Sequence, residues 1–131
     1  MNAQAIDIKD ILIEQNMGLV FGQNLFIARM PPKPLKAVCI YDIPGNTPDL
    51  SLTGETYNRE GVQFVVRDVE YTKAMITAYA ILGKLHGQAN IEKNNSLYTL
   101  IRTNLAPSVM EWDAENRISI IFSVEIQRRQ V

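Results

Sequence analysis

This sequence has little of what catalysis usually needs. Its 131 residues contain one cysteine, one histidine and one tryptophan. A lone Cys39 cannot form an internal disulfide, and set among Val38, Ile40 and Tyr41 it reads as a small buried hydrophobe. The single His86 has no serine in a Gly-x-Ser-x-Gly setting and no second metal-ligating residue at a useful spacing. At the end of a helical pattern it reads as a C-terminal residue, favourable to the helix dipole when protonated. The seven glycines never fall into a phosphate-binding pattern, so no nucleotide or other cofactor is expected. The acids Glu111, Asp113 and Glu115 alternate in a way a divalent ion could use, but they suit a solvated turn better. No enzyme is expected.

Charge and hydropathy remove other classes. Thirteen basic and fourteen acidic side chains leave a formal charge of −1, which gives no electrostatic case for gripping nucleic acid. Apolar stretches such as Ile76–Leu82 and Ile118–Phe122 fall well short of the roughly 18 residues a membrane helix needs. The start, MNAQAIDIKD, lacks the basic end and apolar run of a signal peptide, so synthesis in a cytoplasm and no membrane association are expected. With 47% hydrophobic and 21% charged residues, the chain has the composition of one globular domain spanning residues 1–131.

What is present is a pattern of elements. From Ala3 to about Gln15, Ile8, Ile11 and Leu12 recur at helical spacing, and Gly18 suits a left-handed stop after Met17. A strand is expected at Leu25–Arg29. Met30 to Pro34 then carries three prolines, which cannot continue a ladder. Ala37–Ile43 favours a second strand, pairing back on the first as a hairpin. Gly61–Asp68 alternates as a third strand, and Asp68 can cap a helix whose apolar stripe is Tyr71, Met75, Ala78, Tyr79, Leu82 and Leu85, closed by His86-Gly87. Ser96–Leu105 reads as a fourth strand ended by Pro107. The clearest alternation places Ile118, Ile120, Phe122, Val124 and Ile126 on one face of a last strand. Arg128 and Arg129 fit contact with an acidic partner or DNA, and equally a charged end that keeps an edge strand soluble. The fold class expected is α+β: a two-layer sandwich, with two helices on one face of an antiparallel or mixed four- to five-stranded sheet.

Between the second and third strands, Asp42 to Asn58 reads as a long loop with no helix or strand of its own. Loops of that length in compact domains are usually functional or disordered. Pro44, Gly45, Pro48 and Gly54 disfavour regular structure, while Ile43, Leu50, Leu52 and Tyr57 leave apolar groups to bury against a partner.

Several segments, in this order, carry a resemblance. They are Asn24–Pro31 (NLFIARMP), Ala37–Asp42 (AVCIYD) followed by Pro44-Gly45-Asn46-Thr47-Pro48-Asp49, and Val62–Arg67 (VQFVVR). Tyr79 with Leu85-His86-Gly87 and Phe122–Ile126 (FSVEI) before Arg128-Arg129 continue it. The chain resembles the tail terminator, or minor capsid and tail completion, proteins of long-tailed bacteriophages. One departure is the turn Asp113-Ala114-Glu115-Asn116-Arg117, which lacks the glycine of the family's Asp-Glu-Asn-Gly-Arg pattern and leaves a type I′ hairpin there in doubt.

The resemblance implies a structural virion protein of the tail, assembled in the host cytoplasm. It implies a homo-oligomeric ring, a hexamer, that caps the tail tube, stops its growth and presents a surface for head-to-tail joining. The implied partners are further copies of the chain, the tail tube protein and the head–tail connector protein, with DNA passing through the ring without specific binding. A closed ring needs two different patches on each subunit. The Met30–Pro34 turn and the Asp42–Asn58 loop are candidates for one of these patches, and the candidate assembly interface comprises Arg29, Met30, Pro31 and Pro32, with Ile43, Pro44, Gly45, Asn46, Leu50, Leu52, Tyr57 and Arg59 in and beside the loop. Three other readings stay open: another head–tail neck or tail tube component, a small α/β ligand-binding regulatory domain, and a hydrolase using His86 with an acidic residue.

Overall fold

A computed structural model describes residues 2–43, 49–50 and 56–130. In chain order the elements are α1 (Gln4–Ile13), β1 (Leu25–Ile27), β2 (Ala37–Ile43), β3 (Asp49–Leu50), β4 (Thr56–Asp68), α2 (Tyr71–Leu85), β5 (Ile91–Lys93), β6 (Ser96–Trp112) and β7 (Ile118–Gln130). Six strands lie side by side in the order β1-β2-β4-β7-β6-β5, and β3 pairs separately with β4. The fold is α+β with a mixed sheet curled into a half-barrel, so the sheet has six strands in line rather than four or five.

The core follows the sequence periodicities. On β4, Val62, Phe64 and Val66 point inward, and on β7 Ile118, Ile120, Phe122, Val124 and Ile126 do the same. They meet Ala5, Ile8, Ile11 and Leu12 of α1 and Ala74, Ala78, Ile81, Leu82 and Leu85 of α2 in one cluster. Both helices therefore cover the same sheet face. Phe64 and Phe122 are opposite each other in the antiparallel β4–β7 ladder and stack, with ring centroids 4.8 Å apart and an interplanar angle of 3°. The helix stripe differs from the expected one at two positions. Tyr71 and Tyr79 stay exposed, and Ala74 and Ile81 take the buried places.

Four further expectations are corrected. The β1–β2 pair is parallel, with Leu25 opposite Val38 and Ile27 opposite Ile40, not a hairpin. The proline segment carries the chain back along the sheet instead of reversing it in a tight turn. Pro107 does not end its strand, because β6 runs on to Trp112. That strand has a bulged register, with shifts between Thr103 and Leu105, Leu105 and Ser108, and Val109 and Glu111, and the proline falls in the irregular part, where no regular ladder bond is lost. The expected loop from Asp42 to Asn58 is partly strand. β2 extends to Ile43, β3 pairs with Thr56 and Tyr57, and β4 starts at Thr56 rather than Gly61. Asp68 accepts the backbone N–H groups of Val69 (2.6 Å) and Glu70 (3.3 Å) but makes no side-chain cap bond to α2.

Gly61 is fixed by close approach. A Cβ there would lie 2.8 Å from the backbone oxygen of Val124 on the neighbouring β7. Gly61→Ala must push two ladder strands apart, and a loss of about 1–3 kcal/mol in unfolding free energy is expected. Denaturant titration of the variant checks this; an unchanged midpoint contradicts the crowding.

Candidate assembly surface

The sheet face turned away from the helices carries the alternate residues of each strand. Tyr41 of β2, Gln63, Val65 and Arg67 of β4 and Ser119 of β7 line a groove of about 410 Å³, closed by Met30 and by Met110 with its neighbour Glu111. Burial and a hydrogen bond with Cys39 push the Tyr41 hydroxyl up to about 12, so it remains a neutral donor. Cys39 is itself fully buried, and burial raises its thiol in turn.

Two arginines hold the proline segment against this face. Arg67 donates from Nη2 to the carbonyl of Pro34 (2.5 Å) and from Nε to that of Leu35 (3.3 Å). Arg117, at the start of β7, donates from Nη1 to the carbonyl of Pro32 and from Nε to Asp113 Oδ2 (2.7 Å). Prolines lack an N–H but keep a carbonyl, so a stretch that cannot join a ladder is anchored by its acceptors instead. Met30, Pro31 and Pro32 thus sit beside the β6–β7 turn, a relation that sequence spacing could not reveal.

That turn solves its missing glycine with asparagine. Asn116 adopts φ 60°, its N–H donates to the carbonyl of Asp113 (3.1 Å), and Asp113 N–H donates to the carbonyl of Arg117 (2.9 Å). Asp113 Oδ1 accepts the N–H groups of Glu115 and Arg117, both at 2.9 Å. The backbone bond from Arg117, then its side chain, holds the Asp113 carboxyl below the usual aspartate range. A depressed carboxylate pKa stabilises the turn above that range, and this stabilisation is lost as pH falls through the lowered value. Amide shifts of Glu115 and Arg117 followed by NMR on acidification should titrate below a free aspartate; a midpoint at the ordinary value contradicts the network. Of the three acids, Asp113 is committed to Arg117, and Glu115 lies 3.7 Å from it with its side chain largely in solvent. Among the described residues no three His, Cys, Asp or Glu side chains are grouped to hold a metal ion.

The interface candidates fall in two places. Arg29 and Pro32 are exposed and Met30 and Pro31 half-buried, all near the β6–β7 turn. Ile43, Leu50, Tyr57 and Arg59 lie at the other end of the strands, where Ile43 pairs with Gly61 and Arg59 with Gln127. The structure does not bring these two sets together. Pro44, Gly45, Asn46 and Leu52 lie outside the described residues.

Other side chains have roles the sequence did not disclose. His86 accepts the backbone N–H of Thr103 at Nδ1 (2.9 Å), tying the end of α2 to β6. Arg128 is not a solubilising end. It is buried between Asp7 and Glu60, and β7 lies inside the sheet between β4 and β6. Arg128 Nη1 donates to the carbonyl of Asn2 (2.8 Å) and lies 3.3 Å from the Tyr98 hydroxyl and 3.4 Å from Asp7 Oδ2. No helix among the described residues is long and apolar enough to cross a membrane.

The described residues thus form a curled sheet with both helices on one face, a proline segment anchored by two arginines, and a broad outer surface. The bacteriophage tail terminator protein family matches residues 12–130, and the chain belongs to that family. It is a structural component of a phage tail. A chain of the virion of a native gene transfer agent (GTA) particle shares the fold, with a TM-score of 0.71 and 16% sequence identity, over 97% of this chain and 95% of that one. No protein of curated function matches it in sequence.

Proposed function

We propose that the chain is a single terminator domain that assembles into a hexameric ring on the end of the tail tube. The ring stops tube polymerisation and offers its free side to the head–tail connector during assembly in the host cytoplasm. DNA passes through it without sequence-specific contacts, in keeping with the formal charge of −1. The observation that carries this reading is the family match over residues 12–130. Arg29 to Pro32 at one end of the sheet and Ile43, Leu50, Tyr57 and Arg59 at the other are proposed as contacts to neighbouring subunits or to the tube. Because the two sets lie apart, they are proposed as separate contacts and not as the one patch expected from the sequence.

Electron microscopy of the purified protein mixed with tail tubes tests the proposal. Rings of one layer at a tube end, and tubes of fixed length, are expected. Long stacks would assign the chain to the tube itself, and the absence of both rings and tube-end binding would overturn the reading.

A further inference from the structure

Among the described residues two apolar surfaces are left exposed, and they carry opposite charge. The first is a groove of about 270 Å³ between α2 and the segment that follows α1, with Met17, Leu19 and Ile81 along it and Ile76, Thr77 and Ala80 at its side. Ile76 is 64% exposed, although it sits on a helix whose opposite stripe fills the core. Lys36 lines the groove. Lys73 and Lys84 share the helix row of Thr77 and Ala80 by their three- and four-residue spacing, and both are exposed. Lys73 also lies 3.6 Å from Glu70, an exposed pair of little strength.

The second surface is the outer part of the β6–β7 hairpin. Leu105, Val109 and Met110 are exposed there, and Trp112 is 54% exposed. Glu111 and Glu115 stand beside them in solvent. The bulges and Pro107 spoil β6 as a template for a further strand, so this edge is suited to offer side chains rather than backbone. Tryptophan and methionine are enriched at the cores of protein interfaces, where exposed lysine and glutamate are not.

Resting on the ring reading above, we infer that the hairpin of one copy, led by Trp112 and Met110, seats in the α2 groove of the next copy, with Glu111 and Glu115 facing its lysines. The occupant is a second copy because each surface supplies what the other lacks: an apolar projection with acids, an apolar recess with bases. Like surfaces cannot pair, since that would set acid against acid. The contact is therefore head-to-tail, the kind that closes into rings. The recess is also smaller than the roughly 300–1,000 Å³ of small-molecule sites and fits inserted side chains better.

The test uses two variants of the full chain, one broken at each surface. Trp112→Ala removes the projection and Ala80→Trp fills the recess; both positions are exposed, and each variant should keep the wild-type unfolding midpoint. Each alone should lose rings in solution and at tube ends, with subunit affinity weakened on the order of 30-fold or more. Mixed one to one, they should form heterodimers and no rings, because only one good contact survives. Rings from either variant alone, or a mixture that stays monomeric while wild type forms rings, overturns this pairing and leaves the ring reading standing. A wild type that forms rings neither alone nor on tubes overturns both. Independently of those variants, a Lys36→Cys, Glu111→Cys protein treated with a short bis-maleimide should give a ladder of covalent oligomers, since the native Cys39 is buried. No ladder contradicts the pairing.

Discussion

Arg128→Ala is expected to destabilise the protein by about 3–5 kcal/mol, the usual cost of leaving one partner of a buried ion pair without its counter-charge. Asp7 is fully buried on α1, and Arg128 on β7 is the cation beside it. Asp7 also takes the Tyr98 hydroxyl and the side-chain amide of Asn94 (2.8 Å). Burial, then the bond to Asp7, raises the Tyr98 pKa, so its hydroxyl stays protonated and donating across the physiological range. These donors do not replace the lost charge. The free guanidinium position would also leave Glu60 and the carbonyl of Asn2 without their contact. Guanidinium unfolding measures the loss. The double variant Asp7→Asn, Arg128→Met should cost less than the sum of its singles, since it removes both charges together. A single Arg128→Ala variant within 1 kcal/mol of wild type, on the scale usual for exposed ion pairs, would mean the pair is hydrated.

Phe122→Ala is expected to cost about 3–5 kcal/mol, the range for deleting a buried aromatic ring. The ring is fully buried on β7 and stacked on Phe64 across the ladder. Its loss opens space where α2 meets the two longest inner rows of the sheet, and β7 cannot collapse into that space because it is hydrogen-bonded on both sides, to β4 and to β6. Ile121→Ala, one residue away on the opposite face and only half-buried, should cost clearly less. Equal losses at the two positions would show that the faces are not distinct, contrary to the alternation. Urea titrations of both variants decide it.

How much of this was legible from the residues depends on the range over which each feature is determined. The alternation from Ile118 to Ile126 defines β7 by itself, because the two-residue period is local and one face is entirely buried. His86-Gly87 closing α2 is local as well, with Gly87 at φ 83°. The parallel pairing of β1 with β2 was not legible: prolines announce an interruption, but the path of return runs past Arg67 and Arg117, which hold its carbonyls and lie far away in sequence. Pro107 misled for a related reason. A proline ends a strand only where its N–H would have been used, and the bulged register of β6 decides that. Arg128 looked like a soluble terminal charge because its partner Asp7 is 121 positions away. At the candidate surface, the apolar and proline residues were recognisable by type, but their division between two ends of the sheet required the register. Asn116 taking the left-handed place of the missing glycine was within reach of turn chemistry alone.

The strand order has a consequence for how the subunit is made. β7 is the last strand in chain order, yet it lies between β4 and β6. During synthesis, β4 and β6 therefore emerge from the ribosome with no strand to join them, and their apolar faces wait until residues 118–130 are released. Pairings this far apart in sequence are the kind that slow folding. The sheet of a nascent subunit thus stays open between β4 and β6 until residues 118–130 have been made, and a product truncated before β7 is expected to lack the folded surface.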